Sequence, residues 1–311
     1  MKQSTNRRLA AALLAVIGLL AVGLVFLIFR NFALAAENAE LKVEIAQMEE
    51  AAAKLEKEVK VPAPAALPTV TAATPEPTPE EEPVYIGDLE AVEAGTLVAS
   101  EEVDWDHLEQ YFRSYEISDG LFERIYGDDR SYKTYCTVPR EDLRYIKVLH
   151  YGFDGQIHVG ELMVNYLLEE DMTSIFRTLF ENQYQIEKMY LIDNYSADDD
   201  LSCLDNNTSC FNYRLVTGGS TLSNHATGCA IDINPKNNPY VTFDGYGMPY
   251  VFDPESEQYV DRSNPDAAAM HMITHEDLCY QLFAERGYTW GGDWGNPLDY
   301  QHFEKIVYTA G

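Results

Sequence analysis

The chain is short of basic residues for its length. Its 311 residues include 51 Asp and Glu against 22 Lys and Arg, which gives a formal net charge of -29 at pH 7. Such an excess of acid repels the phosphates of nucleic acids and the headgroups of anionic membranes. The composition therefore argues against a nucleic-acid partner and indicates an acidic domain that self-repulsion keeps in solution.

Two other patterns are missing. No internal repeat is evident along the chain. His271 and His275 stand four residues apart, as zinc ligands on a helix do, but Glu276 follows His275 and no second histidine completes an H-E-x-x-H motif. We therefore interpret both histidines as surface residues.

A long apolar run is present near the N-terminus. Residues 9–29 are uninterrupted by charge and match the ~20 residues that cross a bilayer as a helix. Lys2, Arg7 and Arg8 precede the run, so the N-terminus is predicted to stay in the cytoplasm and the rest of the chain to lie outside. The alternative is a cleaved signal peptide ending near residues 33–35, but the run exceeds the ~7–15 residues of a signal core.

A heptad pattern follows the predicted anchor. Asn38, Ile45, Ala52 and Val59 occupy its a positions, and leucine or methionine occupies its d positions. Residues 31–60 are thus predicted to form a coiled coil, with a parallel homodimer through residues 34–59. A single solvated helix is the alternative, because Ala52 is a weak core residue and the pattern is under four heptads long.

The chain then changes character between residues 61 and 100. It contains PAPAALP and TPEPTPEEEP, and it has no apolar period. Proline and like charges stiffen and extend such a segment, so it is predicted to be a spacer. The folded domain is expected to occupy residues 101–311, where 46% hydrophobic content overall is enough for a sizeable core.

Short strands and helices alternate irregularly in this last part. WDHLEQYFRSY and MTSIFRTLFENQ have helical spacing, while LRYIKVLHYGFDG predicts a strand and a turn at Asp154-Gly155. HVGELMVNYLL predicts a strand that runs into a helix, and EKMYLIDNY predicts another strand. The fold class expected is α+β, an antiparallel sheet with flanking helices.

The stretch TLSNHATGCAID, residues 221–232, carries the clearest chemical signal. It places His225 seven residues before Asp232, with Gly228 between them to let the backbone pass close behind. A second cluster, Asp299 to His302, offers another imidazole and another carboxylate. Two histidines and an aspartate leave one position of a tetrahedral zinc open, which is the composition of a catalytic site.

Five cysteines in an exported chain raise the question of disulfides. Cys203 and Cys210 flank a short polar loop and could pair in an oxidising exterior, or could both stay free. Cys229, between Gly228 and Ala230, is interpreted as a small packed residue.

Three separated segments resemble a known family. NNTSCFNYR (206–214), LSNHATGCAIDINPKNNPY (222–240) and WGGDWGNPLDYQHFE (290–304) are similar to the zinc D-alanyl-D-alanine carboxypeptidases and L-alanyl-D-glutamate endopeptidases, which include the VanY-type enzymes. The three motifs occur in the family's order. The resemblance covers roughly residues 120–305 and implies the hedgehog/DD-peptidase fold.

The resemblance implies a role for each matching residue. It makes His225, Asp232 and His302 the ligands of one zinc ion. Asp299, three residues before His302, falls on the family's catalytic acid/base, a position that relatives fill with glutamate or aspartate.

Two further positions match residues that act on substrate in relatives. Arg214 falls on the arginine that contacts the substrate and the developing oxyanion, and Ser223 falls on a serine or threonine two residues before the first ligand. Cys210 departs from the family, where a small apolar residue is frequent, and this leaves the chemistry intact.

The aromatic residues near the last motif are expected to form core or cleft wall. These are Trp290, Trp294 and Phe303. Glu304 is expected to be an outer partner of a ligand or a surface residue.

The resemblance implies a zinc peptidase acting on peptide stems of bacterial peptidoglycan. The predicted anchor at residues 9–29 would hold it in the cell membrane, with its catalytic domain outside. Whether it removes a terminal D-alanine or cuts an internal bond stays open. The competing hypothesis is a catalytically silent protein of the same fold that binds or organises the cell wall.

Overall fold

The structure, a computed structural model, describes residues 85–307. The predicted anchor, the predicted coiled coil and residues 61–84 of the predicted spacer lie outside this range. Within it, no helix combines the length and the apolar character needed to cross a membrane.

Ten strands are assigned in residues 85–307. They are β1 (Leu97–Val98), β2 (Arg113–Glu116), β3 (Leu143–Tyr151), β4 (Ile157–Asn165), β5 (Ala230–Asp232), β6 (Tyr240–Phe243), β7 (Pro249–Val251), β8 (Thr289–Trp290), β9 (Leu298–Asp299) and β10 (His302–Glu304).

Four α-helices accompany the strands in the same range. They are α1 (Asp119–Ile125), α2 (Glu169–Glu181), α3 (Asp199–Leu204) and α4 (Leu278–Glu285). Side-chain oxygens of Ser118, Asp198 and Asp277 accept backbone N–H bonds at the starts of α1, α3 and α4. These caps fix where each helix begins.

The largest sheet is antiparallel, with strand order β1-β4-β3-β2. Its long central pair, β3 and β4, has nine residues in each strand. Helix α2 packs on β3 through an apolar stripe at helical spacing. The stripe consists of Met172, Ile175, Phe176, Leu179 and Phe180.

Two small antiparallel sheets hold the chemistry-bearing segments. One has the order β5-β10-β8 and the other β7-β6-β9. In the first, His302 on β10 lies opposite Asp232 on β5; in the second, Asp299 on β9 lies opposite Tyr240 on β6. The expected α+β class with antiparallel pairing is confirmed.

Most expectations for local structure hold, and two are wrong. The strand and turn near Asp154 and the helix around residues 172–181 are confirmed. The helix expected at WDHLEQYFRSY is absent, because Leu108–Tyr111 forms one short 3-10 turn and Arg113–Glu116 becomes the edge strand β2. Pairing with β3 outweighs the local helical period there.

The strand expected at EKMYLIDNY is also absent. Residues Ile192–Tyr195 form a 3-10 helix. The Asp193 carboxylate accepts a hydrogen bond from the Ser131 backbone, 2.8 Å long, which anchors a loop instead of extending a sheet. This long-range contact has no local sequence signal.

The folded part begins before residue 101, so the predicted spacer extends too far toward the C-terminus. Leu89 is buried, β1 pairs with β4, and the Gly95 N–H donates to the Val159 carbonyl at 2.7 Å. Residues 85–100 therefore belong to the folded unit.

Candidate metal centre and catalytic cleft

Three buried side chains converge from three segments of the chain. Asp232 ends β5, His302 begins β10 directly opposite it, and His225 lies in the 3-10 helix Asn224–Thr227. One ligand atom from each lies within 4.8 Å of the others. The structure thus brings together the three predicted metal ligands.

The outer nitrogen of each imidazole is already engaged. His225 Nδ1 donates to the Cys210 carbonyl at 2.6 Å, which leaves Nε2 facing inward. His302 Nε2 faces a Glu304 oxygen at 3.0 Å, which leaves Nδ1 facing inward. Because both outer partners can only accept, each ring in its neutral form has a lone pair on its inner nitrogen, available to a metal.

These inner atoms crowd round one point. His225 Nε2 lies 3.2 Å from His302 Nδ1, and the Asp232 oxygens lie 3.2 Å and 3.1 Å from these two nitrogens. Two lone pairs and a carboxylate this close repel one another unless a proton or a metal cation lies between them. Two imidazoles and one carboxylate are a donor set that suits zinc.

The protonation equilibria agree with a site that attracts positive charge. Burial alone would raise the pKa of Asp232, but the two histidines hold it well below its usual range. Burial alone would lower the pKa of His302, but the Asp232 and Glu304 carboxylates raise it to about 10.

The loop that presents His225 depends on a glycine and a serine cap. Gly228 has φ +67°, and a Cβ there would lie 2.6 Å from the Asn165 backbone nitrogen. The Gly228 carbonyl accepts from that same N–H at 2.9 Å. Ser223 Oγ accepts from the His225 N–H at 3.3 Å, so this predicted substrate contact also caps the ligand's helix.

Glu304 joins two of the ligand-bearing segments. One of its oxygens accepts from Asn224 Nδ2 at 2.6 Å and also contacts His302 at 3.0 Å. Glu304 is therefore an outer hydrogen-bond partner of the ligand His302, which is one of the two roles expected from the sequence. Asn224 gave no signal in the sequence beyond standing next to His225.

Asp299 lies at the edge of this centre with a free oxygen. Gly291 makes room for it, since a Cβ at that glycine would come 2.7 Å from the Asp299 Cβ. Its Oδ1 is buried and has no hydrogen-bond partner among residues 85–307. Burial raises the pKa of Asp299 to about 7; His302 opposes this, and the Asp232 and Asp199 carboxylates reinforce it.

Arg214 is held by a residue that the sequence did not reveal. Its Nη2 lies 2.7 Å from Asp199 Oδ2, at the start of α3. Its Nε is buried and has no hydrogen-bond partner in the described part of the chain. The Arg214 carbonyl accepts from the Ser223 N–H at 3.0 Å, which ties the arginine's segment to the loop that presents His225.

The possible disulfide between Cys203 and Cys210 is not formed. All five cysteines of the chain are free. The Cys203 thiol faces the Gln301 side chain, whereas the Cys210 thiol faces the Gly228 carbonyl. Burial raises the pKa of both thiols well above their usual range, so they behave as packed groups.

The aromatic residues divide between core and cleft. Trp290 and Phe303 are buried, whereas Trp294 is partly exposed with its ring 5.3 Å from that of His302. His275 pairs with Asp293 and His271 stacks on Phe153. These last two histidines belong to no grouping of metal-ligand type found in residues 85–307.

The fold and this centre define a candidate single-metal hydrolase. Residues 217–305 match the model of a family described as D-alanyl-D-alanine carboxypeptidase. The resemblance to VanY-type enzymes is thereby confirmed over this part of the chain, which contains the three ligands and Asp299 but not Arg214. No curated protein and no solved structure gave a match.

Proposed function

We propose that the protein is a zinc-dependent peptidase that hydrolyses peptide stems of peptidoglycan. The observation that carries the proposal is the convergence of two imidazole nitrogens and a carboxylate next to a buried Asp299 oxygen that has no partner among residues 85–307. Each imidazole is oriented by a hydrogen bond on its far side. The family match supports the substrate class.

Zinc held by His225, Asp232 and His302 would supply Lewis acidity at the centre. Asp299 accepts a proton from the attacking water and later returns it to the leaving amine. Its pKa of about 7 suits both transfers, because a general acid/base works best near the ambient pH.

Arg214 would stabilise negative charge on the attacked carbonyl oxygen. One of its nitrogens is fixed by Asp199, and its buried Nε has a hydrogen to donate. A fixed donor of this kind needs little reorganisation as charge develops.

The proposal extends to the N-terminal segments. The apolar run at residues 9–29 would anchor the chain in the bacterial cell membrane with the peptidase outside. Residues 61–84, extended at ~3.1 Å each, would span roughly 70 Å from the bilayer toward a polymeric substrate. Residues 34–59 would pair two copies as a parallel coiled coil.

The test is incubation of the purified protein with muropeptides, with and without a chelator. We expect cleavage that requires zinc and that falls by about 100-fold or more in Asp299→Ala while zinc stays bound. Mass spectrometry of the products identifies the bond that is cut. A wild-type protein that binds sacculi but releases no product would favour the silent wall-binding alternative.

A further inference from the structure

Exposed aromatic residues lie on one face of the β7-β6-β9 sheet and just beyond the end of β7. Tyr250 on β7 is 67% exposed, Phe252 directly after the end of β7 is 57% exposed, and Val251 between them is 6% exposed. On β6, Tyr240 is 38% exposed. Contiguous exposed apolar surface is typical of binding sites on soluble proteins.

This face is the one that carries Asp299. Directly paired residues of an antiparallel sheet project to the same side, and so do residues two apart on a strand. Tyr240 pairs with Asp299, and Thr242, two residues on, pairs with Tyr250. Neighbouring strands are ~4.8 Å apart, so Tyr250 on β7 is roughly 10 Å from the strand of Asp299.

The face is preformed. Val241 and Val251, paired with each other, are buried beneath it. At the hairpin turn, Asp244 Oδ1 accepts from the N–H groups of Tyr246 and Met248, both at 2.8 Å. A ligand therefore meets side chains whose backbone is already ordered, which lowers the entropic cost of binding.

The chemistry of the face selects a neutral, ring-shaped ligand. Residues 240–252 contain no lysine or arginine, and their one acid, Asp244, is engaged in the turn. The chain's net charge of -29 repels anionic polymers. Tyrosine combines a flat apolar ring with a hydroxyl, and a pyranose has an apolar face bordered by hydroxyl groups.

We propose that Tyr240, Tyr250 and Phe252 form an aromatic platform that binds sugar rings of the glycan strand. This inference rests on the proposed function, because a stem peptide in the cleft at Asp299 is covalently joined to that glycan. The platform begins one strand away from Asp299 and leads outward, so the sugar end of the substrate lies along it. It would favour stems still attached to glycan over free peptides.

The first test measures binding without turnover. The probe is a peptide-free tetrasaccharide of β-1,4-linked N-acetylhexosamines, titrated into wild type, Tyr250→Ala and Phe252→Ala in a calorimeter. Each variant is expected to weaken binding by about fivefold or more, as buried aromatic anchors do at other interfaces. Tyr85→Ala removes another exposed tyrosine, outside the platform, and should bind as wild type does.

The second test compares hydrolysis of a disaccharide-linked stem peptide with that of the same peptide alone. The platform variants should raise KM for the linked substrate by about fivefold and leave kcat and the free peptide unaffected. Absence of tetrasaccharide binding by wild type, or equal effects of Tyr250→Ala on both peptides, would overturn the platform. Absence of hydrolysis by wild type would overturn the proposed function, while the titration still decides the platform. Melting curves check that the variants are folded.

Discussion

At the metal centre, each inward-facing nitrogen is selected by the hydrogen bond that the same ring makes on its far side. The Cys210 carbonyl fixes His225, and Glu304 fixes His302. Such outer partners orient a ligand and raise its basicity. The centre therefore extends beyond three ligands to a backbone carbonyl, a glutamate and Asn224.

Asp199 is predicted to position Arg214. Replacement by asparagine removes the charge that fixes the guanidinium at 2.7 Å, so kcat should fall by roughly 10- to 100-fold while zinc content stays unchanged. Steady-state hydrolysis and metal analysis measure the two effects.

Asp200→Asn is the matched control, because Asp200 is exposed and adjacent on α3. It should leave kcat at the wild-type value. Equal activity of Asp199→Asn and wild type would show that Arg214 needs no such partner.

At the scale of single elements, the loop before β5 depends on Gly228. Gly228→Ala adds a Cβ that would lie 2.6 Å from the Asn165 nitrogen, in a backbone conformation that L-residues avoid. The cost should exceed the ~1–2 kcal/mol of left-handed strain alone. Urea unfolding measures it.

Gly218→Ala separates strain from collision. Gly218 has a similar φ of +71°, but a Cβ there meets nothing within 4 Å. Gly218→Ala should lose only the stability that corresponds to left-handed backbone strain. Zinc affinity should fall only in Gly228→Ala. An equal loss of stability in the two variants would show that a Cβ at residue 228 does not collide with the Asn165 backbone.

Strand β3 contains a buried histidine that makes stability depend on pH. Burial lowers the pKa of His150 to about 4 from an ordinary value near 6.5, and its Nδ1 donates to the Ile186 carbonyl at 3.0 Å. Because the folded-state pKa is depressed, the stabilisation is complete above pH ~6.5 and is lost as pH falls toward 4, by roughly 3 kcal/mol in total.

The measurement is the free energy of unfolding at pH 7 and pH 5 for wild type and His150→Gln. The variant should lose less stability between the two pH values. A wild-type difference that the substitution leaves unchanged would show that other groups cause the acid sensitivity.

At the scale of the whole molecule, the folded unit needs residues 85–100. A chain beginning at residue 101 loses β1 and the buried Leu89, whose side chain alone contributes about 1.5–3 kcal/mol by burial. Such a chain should unfold at a lower urea concentration than one beginning at residue 79. Identical midpoints would show that the segment adds no stability.

The three ligands and Asp299 were predictable because they lie in short motifs whose spacing reflects local turns and one strand pair. The ligands are His225, Asp232 and His302. The contact of Asp199 with Arg214 was not predictable, because folding brings α3 to Arg214 without any local sequence pattern.

The same reason accounts for the missed fold features. Leu89 follows a proline-rich stretch that looks like spacer, and Asp193 ends a segment that has strand composition. In both cases a contact with a distant segment decides the structure: β4 pairs with β1 after Leu89, and the Ser131 backbone binds Asp193.

The most direct test of the account is anomalous diffraction at the zinc edge from crystals of the protein grown with zinc. One peak should lie about 2.0–2.2 Å from His225 Nε2, His302 Nδ1 and an Asp232 oxygen. A peak at other residues, or crystals in which these three side chains point apart, would contradict the central claim that they share one ion.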